Sequence, residues 1–185
     1  MMERNKLGML LFLGGEAIFF SLLILAYAYY HHLFAATGPA ATVLNARFAV
    51  TAFFTFLLLS SSLTIWLAER NLRRGRHASM RWWLLATVLL GATFLVGQGT
   101  EYRSLVREGI TLRTGLFGTT FYTLTGFHGF HVFVGLVILS TLFGLARHLR
   151  GPHSVALETA SLYWHFVDLV WIVVFSVVYV WALFS

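Results

Sequence analysis

Long apolar runs alternate with short polar segments along this chain, and the alternation occurs five times. The runs are about Leu7–Tyr30, Ala46–Ala68, Trp82–Thr100, Leu116–Ala146 and Thr159–Phe184. An α-helix rises about 1.5 Å per residue, so about 20 residues cross the hydrocarbon core, and each run has that reach. The fourth is longer than a bilayer needs, which predicts tilt or projection beyond the surface. Between the runs lie turn formers or charge: Thr37-Gly38-Pro39, Arg70 to Arg81, Arg103 to Arg113 and Arg147 to Pro152. None of these connections is long enough to be a soluble domain. The pattern predicts an all-α polytopic membrane protein, a bundle of five transmembrane helices forming one domain over residues 1–185.

Composition narrows the chemistry. Of 185 residues, 58% are hydrophobic and 11% charged, the profile of a membrane protein and not of a soluble domain of this length. Cysteine is absent, which excludes disulfides, thiolate metal sites and thiol catalysis. A net charge of +6 would fit a nucleic-acid partner, but the basic residues stand at the ends of apolar runs, where they act as topology signals. The N-terminal run is too long for a signal-peptide core and contains Glu16, so it reads as a retained helix.

Those basic residues set an orientation. Arg4, Lys6, Arg70, Arg73, Arg74, Arg76, Arg81, Arg147 and Arg150 fall on one side of a five-span topology; Arg47, Arg103, Arg107 and Arg113 fall on the other. Nine against four places the N-terminus in the cytoplasm and the C-terminus outside. Trp82 and Trp83 at one boundary and Trp181 at the other fit an aromatic belt.

Inside the runs, a few ionisable groups break the apolar pattern. An Asp at the centre of a membrane helix costs about 3 kcal/mol to insert, so it normally has a partner and a purpose. Glu16 lies ten residues past Lys6, about 15 Å into the bilayer, and Asp168 lies ten past Glu158. His128 and His131 enter from the opposite face and also come near the middle. Groups from three helices thus share a level. Glu158, Ser161, His165, Asp168, Ile172 and Tyr179 fall on one helical stripe, and His165 can touch Asp168 three residues on. Gly126, Gly129 and Gly135 beside the histidine pair let a neighbour approach closely.

Each feature has a plain reading and a sharper one. His165 and Asp168 either tie helices together or serve function, and both readings stand at this point. Glu16, without a polar neighbour in sequence, reads as a buried functional carboxylate. His128 and His131 on one face are able to chelate a metal, but only His165, Asp168 or Glu16 is available to complete the ligands. A bis-histidine haem between His131 and His165 would need room that the surrounding aromatics deny. Arg147 and Arg150 close the fourth run, where arginine suits an anionic lipid headgroup as well as topology. Phosphate loops, nucleophile elbows and zincin motifs are absent from the sequence.

Several stretches carry a resemblance. Gly8-Met9-Leu10-Leu11-Phe12 running to Glu16-Ala17-Ile18-Phe19-Phe20 resembles subunit III of cytochrome c oxidase. So do Gln98 with Glu101-Tyr102, Phe117-Gly118-Thr119-Thr120-Phe121, Thr125 to Val132, and Glu158 followed by Tyr163 to Trp171. The likeness covers nearly the whole chain in order, and matches the five-helix form, which lacks the first two helices of seven-helix members.

The resemblance implies a non-catalytic subunit of a haem–copper terminal oxidase in the bacterial cell membrane. Haem and copper would lie in subunits I and II, with none in this chain. The chain would pack on subunit I, bind phospholipid and support proton uptake, and cytochrome c or a quinol would supply electrons to the complex. Glu16 falls at the family's buried carboxylate. Subunit III of a quinol oxidase and the accessory protein of a nitric-oxide reductase are close alternatives. An independent proton or ion transporter is the alternative of another class, against which stands the absence of internal repeats and broken helices.

Overall fold

The structure, a computed structural model, describes residues 4–34, 39–113, 115–146 and 154–181, and side chains only from 6–30 and from 47 onward within them. Five helices carry the chain: α1 (Arg4–Phe34), α2 (Pro39–Arg73), α3 (His77–Arg107), α4 (Gly115–Leu145) and α5 (Val155–Phe175). A π-helical segment, Ser176–Val180, prolongs α5 without a break. All five are long and apolar enough to cross a membrane, and there is no strand among the described residues.

The helices outrun the apolar stretches of the sequence. α1, α3 and α4 each have 31 residues and α2 has 35, roughly 46 Å or more at the helical rise. Excess length is therefore common to four helices, not special to the fourth. The connection expected from Arg70 to Arg81 shrinks to a turn at 74–76. Charge does not end a helix once it has left the bilayer: Glu69 and Arg73, one turn apart on α2, form an ion pair that continues it. What ends α2 is Gly75, whose φ of 68° is open to glycine at little cost. Gly75 N–H and Arg76 N–H then return to the carbonyls of Leu72 and Asn71, both at 2.9 Å.

The far end of α3 closes in the same way. Gly109 takes φ 82°, Ile110 N–H reaches the Leu105 carbonyl at 3.0 Å, and Ile110 packs inward. Tyr122 of α4 donates to the Ile110 carbonyl at 2.8 Å, pinning the connection to the bundle. α5 begins at Val155, earlier than the apolar run, because the Ser154 side chain accepts from Leu157 N–H and caps the first turn.

Packing places α5 against α1, α2 and α4, while α4 also touches α1 and α3, and α2 lies along α3. α5 is half buried over its membrane window and α1 only 11%. The core is aromatic. Trp164 lies between α3 and α4, where a Cβ on Gly91 would come within 2.7 Å of its ring and one on Gly135 within 2.8 Å. Gly129 accommodates the Gln98 side chain. The glycines of α4 thus admit large side chains instead of a second backbone. Gly14, Gly15 and Gly99 have no such neighbour within 4 Å.

Candidate functional site: polar seams between the helices

The mid-membrane polar groups separate into different seams. Glu16 of α1 meets His131 of α4, with Oε2 3.1 Å from Nε2. The other ring nitrogen, Nδ1, is 2.7 Å from the Phe127 carbonyl, one turn back on α4. A carbonyl only accepts, so Nδ1 carries a hydrogen, and the proton between Nε2 and Glu16 is shared by that pair. Tyr163 Oη donates to the His131 carbonyl at 3.0 Å, which adds α5 to the seam. Phe20 and Phe130 present their edges to the imidazole. Glu16 is therefore neither isolated nor fully enclosed; its side chain is 22% exposed. The partner comes from a helix 115 residues away, which local sequence does not reveal.

His165 and Asp168 do not bond directly. Ser62 of α2 lies between them: its hydroxyl donates to Asp168 Oδ2 and lies 3.0 Å from His165 Nδ1. A serine has one hydrogen to give, so the His165 contact is an Nδ1–H donated to Ser62 Oγ. Asp168 is buried, and its Oδ1 has no partner among the described residues. The neighbouring Ser61 accepts from Trp164 Nε1 at 2.8 Å, and Thr55 accepts from Trp171 Nε1 at 2.9 Å. The hydroxyls of α2 are thus the counterpart of the α5 motif. The run Ser60-Ser61-Ser62 was the available signal for them, though such a run equally suits a lipid-facing helix with hydroxyls bonded back to their own turn.

The stripe expected on α5 needs one correction. Ser161, Asp168 and Tyr179 are buried, but Ile172 is 45% exposed. At 3.6 residues per turn the buried face passes through Trp171 and Val174 instead. Glu158, at the start of the stripe, forms an ion pair with Lys6 of α1.

His128 and His131 share a helix but not a site. His128 is fully buried, stacked on Trp171 with centroids 4.6 Å apart and edge-on to Phe94, in the seam with α3 and α5. His131 serves the seam with α1. No three His, Asp or Glu side chains converge on one point among the described residues. Arg147 and Arg150 lie outside the described residues. The Arg81 guanidinium lies over the Phe143 ring at 5.4 Å, linking α3 to α4.

A further cluster escaped the sequence reading as a site. At the opposite end, Glu101 Oε1 accepts from Tyr179 Oη at 2.9 Å and from Thr51 Oγ1 at 3.2 Å. Arg47 bonds Ser104 and Glu108 beside it. Gln98 and Tyr102 meet α4 at Thr125, at 3.0 and 2.6 Å. Tyr179 lies in the π segment, where it and Val178 are both buried.

The seams follow the order of the motifs along the chain, and residues 1–183 match the family model described as cytochrome c oxidase subunit III. The chain belongs to that family. It is 41% identical to cytochrome c oxidase subunit 3 of Bacillus sp. (strain PS3) over 181 residues, covering 95% of this chain and 86% of the relative. With the Bacillus subtilis (strain 168) subunit 3 the identity is 38% over 180 residues, with the same coverage. With that of Loxodonta africana it is 35% over 189 residues, 97% of this chain and 70% of the relative. In this subunit III chain the conspicuous mid-helix residues Glu16, His131, His165 and Asp168 each meet a polar group on another helix.

Proposed function

We propose that this chain supports the core of a haem–copper terminal oxidase without carrying out its redox chemistry. In this reading it packs directly on subunit I, beside subunit II, in the bacterial cell membrane, with its N-terminus cytoplasmic. Haem and copper reside in subunits I and II, and cytochrome c or a quinol delivers the electrons. The chain steadies subunit I, holds phospholipid and sustains proton uptake. Arg147 and Arg150 receive an anionic headgroup, and Glu16 is the carboxylate through which the chain bears on proton supply.

The observation that carries this reading is how the mid-membrane polar groups are used. Glu16–His131 and Ser62 with His165 and Asp168 join α1 to α4 and α2 to α5. Such pairing offsets the cost of insertion and favours cohesion over ligation.

The deciding experiment compares the oxidase with and without this chain over successive turnovers. Oxygen consumption should begin normally in the depleted enzyme and decay during turnover. Zero activity from the first turnover, in a core that keeps its haem and copper, would give the chain a catalytic part and refute the proposal.

A further inference from the structure

The groove between α2 and α3, at the end away from the Gly75 turn, lies beside the cluster that Glu101 forms with Thr51 and Tyr179. It encloses about 260 Å³. Arg47 and Ser104 stand at its mouth, Glu101 and Val50 form its walls, and Phe54 lies over Gly97 at its floor. From Arg47 to Phe54 is seven residues, about 10 Å along α2, so the groove changes from charged to apolar over the depth of a membrane boundary. Val50 is 59% exposed and leaves the groove open sideways.

Two charges of opposite sign meet there with bonding capacity to spare. Tyr179 and Thr51 both bond Oε1 of Glu101 and so fix the carboxylate; no described residue bonds Oε2. Arg47 uses Nη2 for Ser104 and Glu108, and no described residue takes its Nε or Nη1. A ligand matching this pair carries a negative group and a hydrogen-bonding cation a few atoms apart, with an apolar extension.

The geometry points to a site for a zwitterionic phospholipid bearing a primary ammonium, of which phosphatidylethanolamine is the common example. Its phosphate meets Arg47, its ammonium donates to Glu101 Oε2, and an acyl chain leaves past Val50. At about 30 Å³ per water-sized group the groove holds about nine such groups, enough for the phosphoethanolamine head. An anionic lipid fits less well, because Glu101 and Glu108 outnumber Arg47 in carrying charge. A choline head fits less well because its quaternary nitrogen has no hydrogen to give Oε2. This site and the headgroup role proposed for Arg147 and Arg150 do not depend on each other.

The test uses the intact purified complex, with bound lipids counted by mass spectrometry and rebinding measured after delipidation. Glu101→Gln should remove one phosphatidylethanolamine and weaken its rebinding roughly tenfold, leaving anionic lipid unchanged. Val50→Trp should cause the same loss by filling the groove, without disturbing the Tyr179 and Thr51 bonds. If Glu101→Gln does not assemble, Val50→Trp decides alone. Unchanged phosphatidylethanolamine in Val50→Trp would overturn the proposal, as would equal binding of phosphatidylcholine. Displacement by soluble phosphoethanolamine would show that the acyl chain is not recognised, and a photocrosslinker at position 50 that captures a protein subunit would show a protein in the groove; either result refutes it.

Discussion

At the residue scale, Ser62 matters more than its ordinary chemistry implies. It serves two groups at once, so Ser62→Ala leaves both the His165 Nδ1–H and Asp168 Oδ2 without their partner. Asp168→Asn keeps an oxygen that can accept from Ser62. Hydrogen bonds between membrane helices average about 0.6 kcal/mol and reach about 1.7, because the separated helices also find partners. Asp168→Asn should therefore cost about 0.6 kcal/mol and Ser62→Ala about twice that. Retention of the chain on the purified oxidase should fall in that order, with the haem spectrum of the remaining core unchanged. A changed haem content at full assembly would show that the cluster reaches the redox centres. Glu16 has a separate test. A lipid-soluble carbodiimide should label it through its partly exposed face; labelling confined to Glu108 would sink the assignment.

At the element scale, the two glycines around Trp164 decide how closely α3, α4 and α5 pack. A methyl on Gly91 would meet the Trp164 ring at 2.7 Å and Leu136 Cδ2 at 3.0 Å, and the ring has Gly135 at its other side. With no free direction for the indole, Gly91→Ala should destabilise by about 1–3 kcal/mol. Gly97→Ala also collides, with the Phe54 ring at 2.6 Å. Phe54 is only partly buried and borders the open groove, so it can swing away and the cost should be smaller. Thermal release of the chain from the complex measures both, and a larger loss for Gly97→Ala would contradict this account of the packing. The Gly75 turn offers a cleaner comparison, since a Cβ there meets nothing within 4 Å and only the φ of 68° is at stake. Gly75→Ala should cost about 1–2 kcal/mol from backbone strain alone.

At the scale of the whole molecule, α5 is the element around which the others are arranged. It touches α1, α2 and α4, and its indoles and tyrosines donate to hydroxyls, a carboxylate and a carbonyl on its neighbours. α1 is tied to α4 by the Glu16–His131 contact and to α5 by the Lys6–Glu158 pair, alongside the buried Phe20 and Tyr27. Replacing Glu16 and Lys6 together by Gln and Met should loosen α1 before any other helix. Proteolysis or hydrogen exchange of the complex should then show increased opening confined to α1. Opening that spreads equally over α2 and α3 would mean that α1 is held mainly by its apolar face. Replacing Arg147 and Arg150 by Gln should lower the anionic lipid retained by the complex; unchanged lipid would leave those arginines only a topological role.

The sequence by itself determined the number of helices, their membrane length and the motifs that mark the family. These are local properties: an apolar run of sufficient length must satisfy its own backbone hydrogen bonds in lipid, and a helix does so within itself. It also singled out Glu16, His131, His165 and Asp168, because a polar group in such a run is conspicuous wherever it points. Only the tertiary structure decided what each one meets. The single level imagined for these groups became separate seams, because residues at equal depth on five helices face different neighbours. Glu16 gained a histidine from α4, Ser62 came between His165 and Asp168, and Ile172 turned outward. The Glu101–Tyr179 bond joins residues 78 apart, and the inward face of Tyr179 was legible from helical periodicity while its partner on α3 was not. Pairing between helices depends on rotation about each helix axis, and that rotation is fixed by the fit of Trp164 against Gly91 and Gly135, a property of three helices together and of none alone.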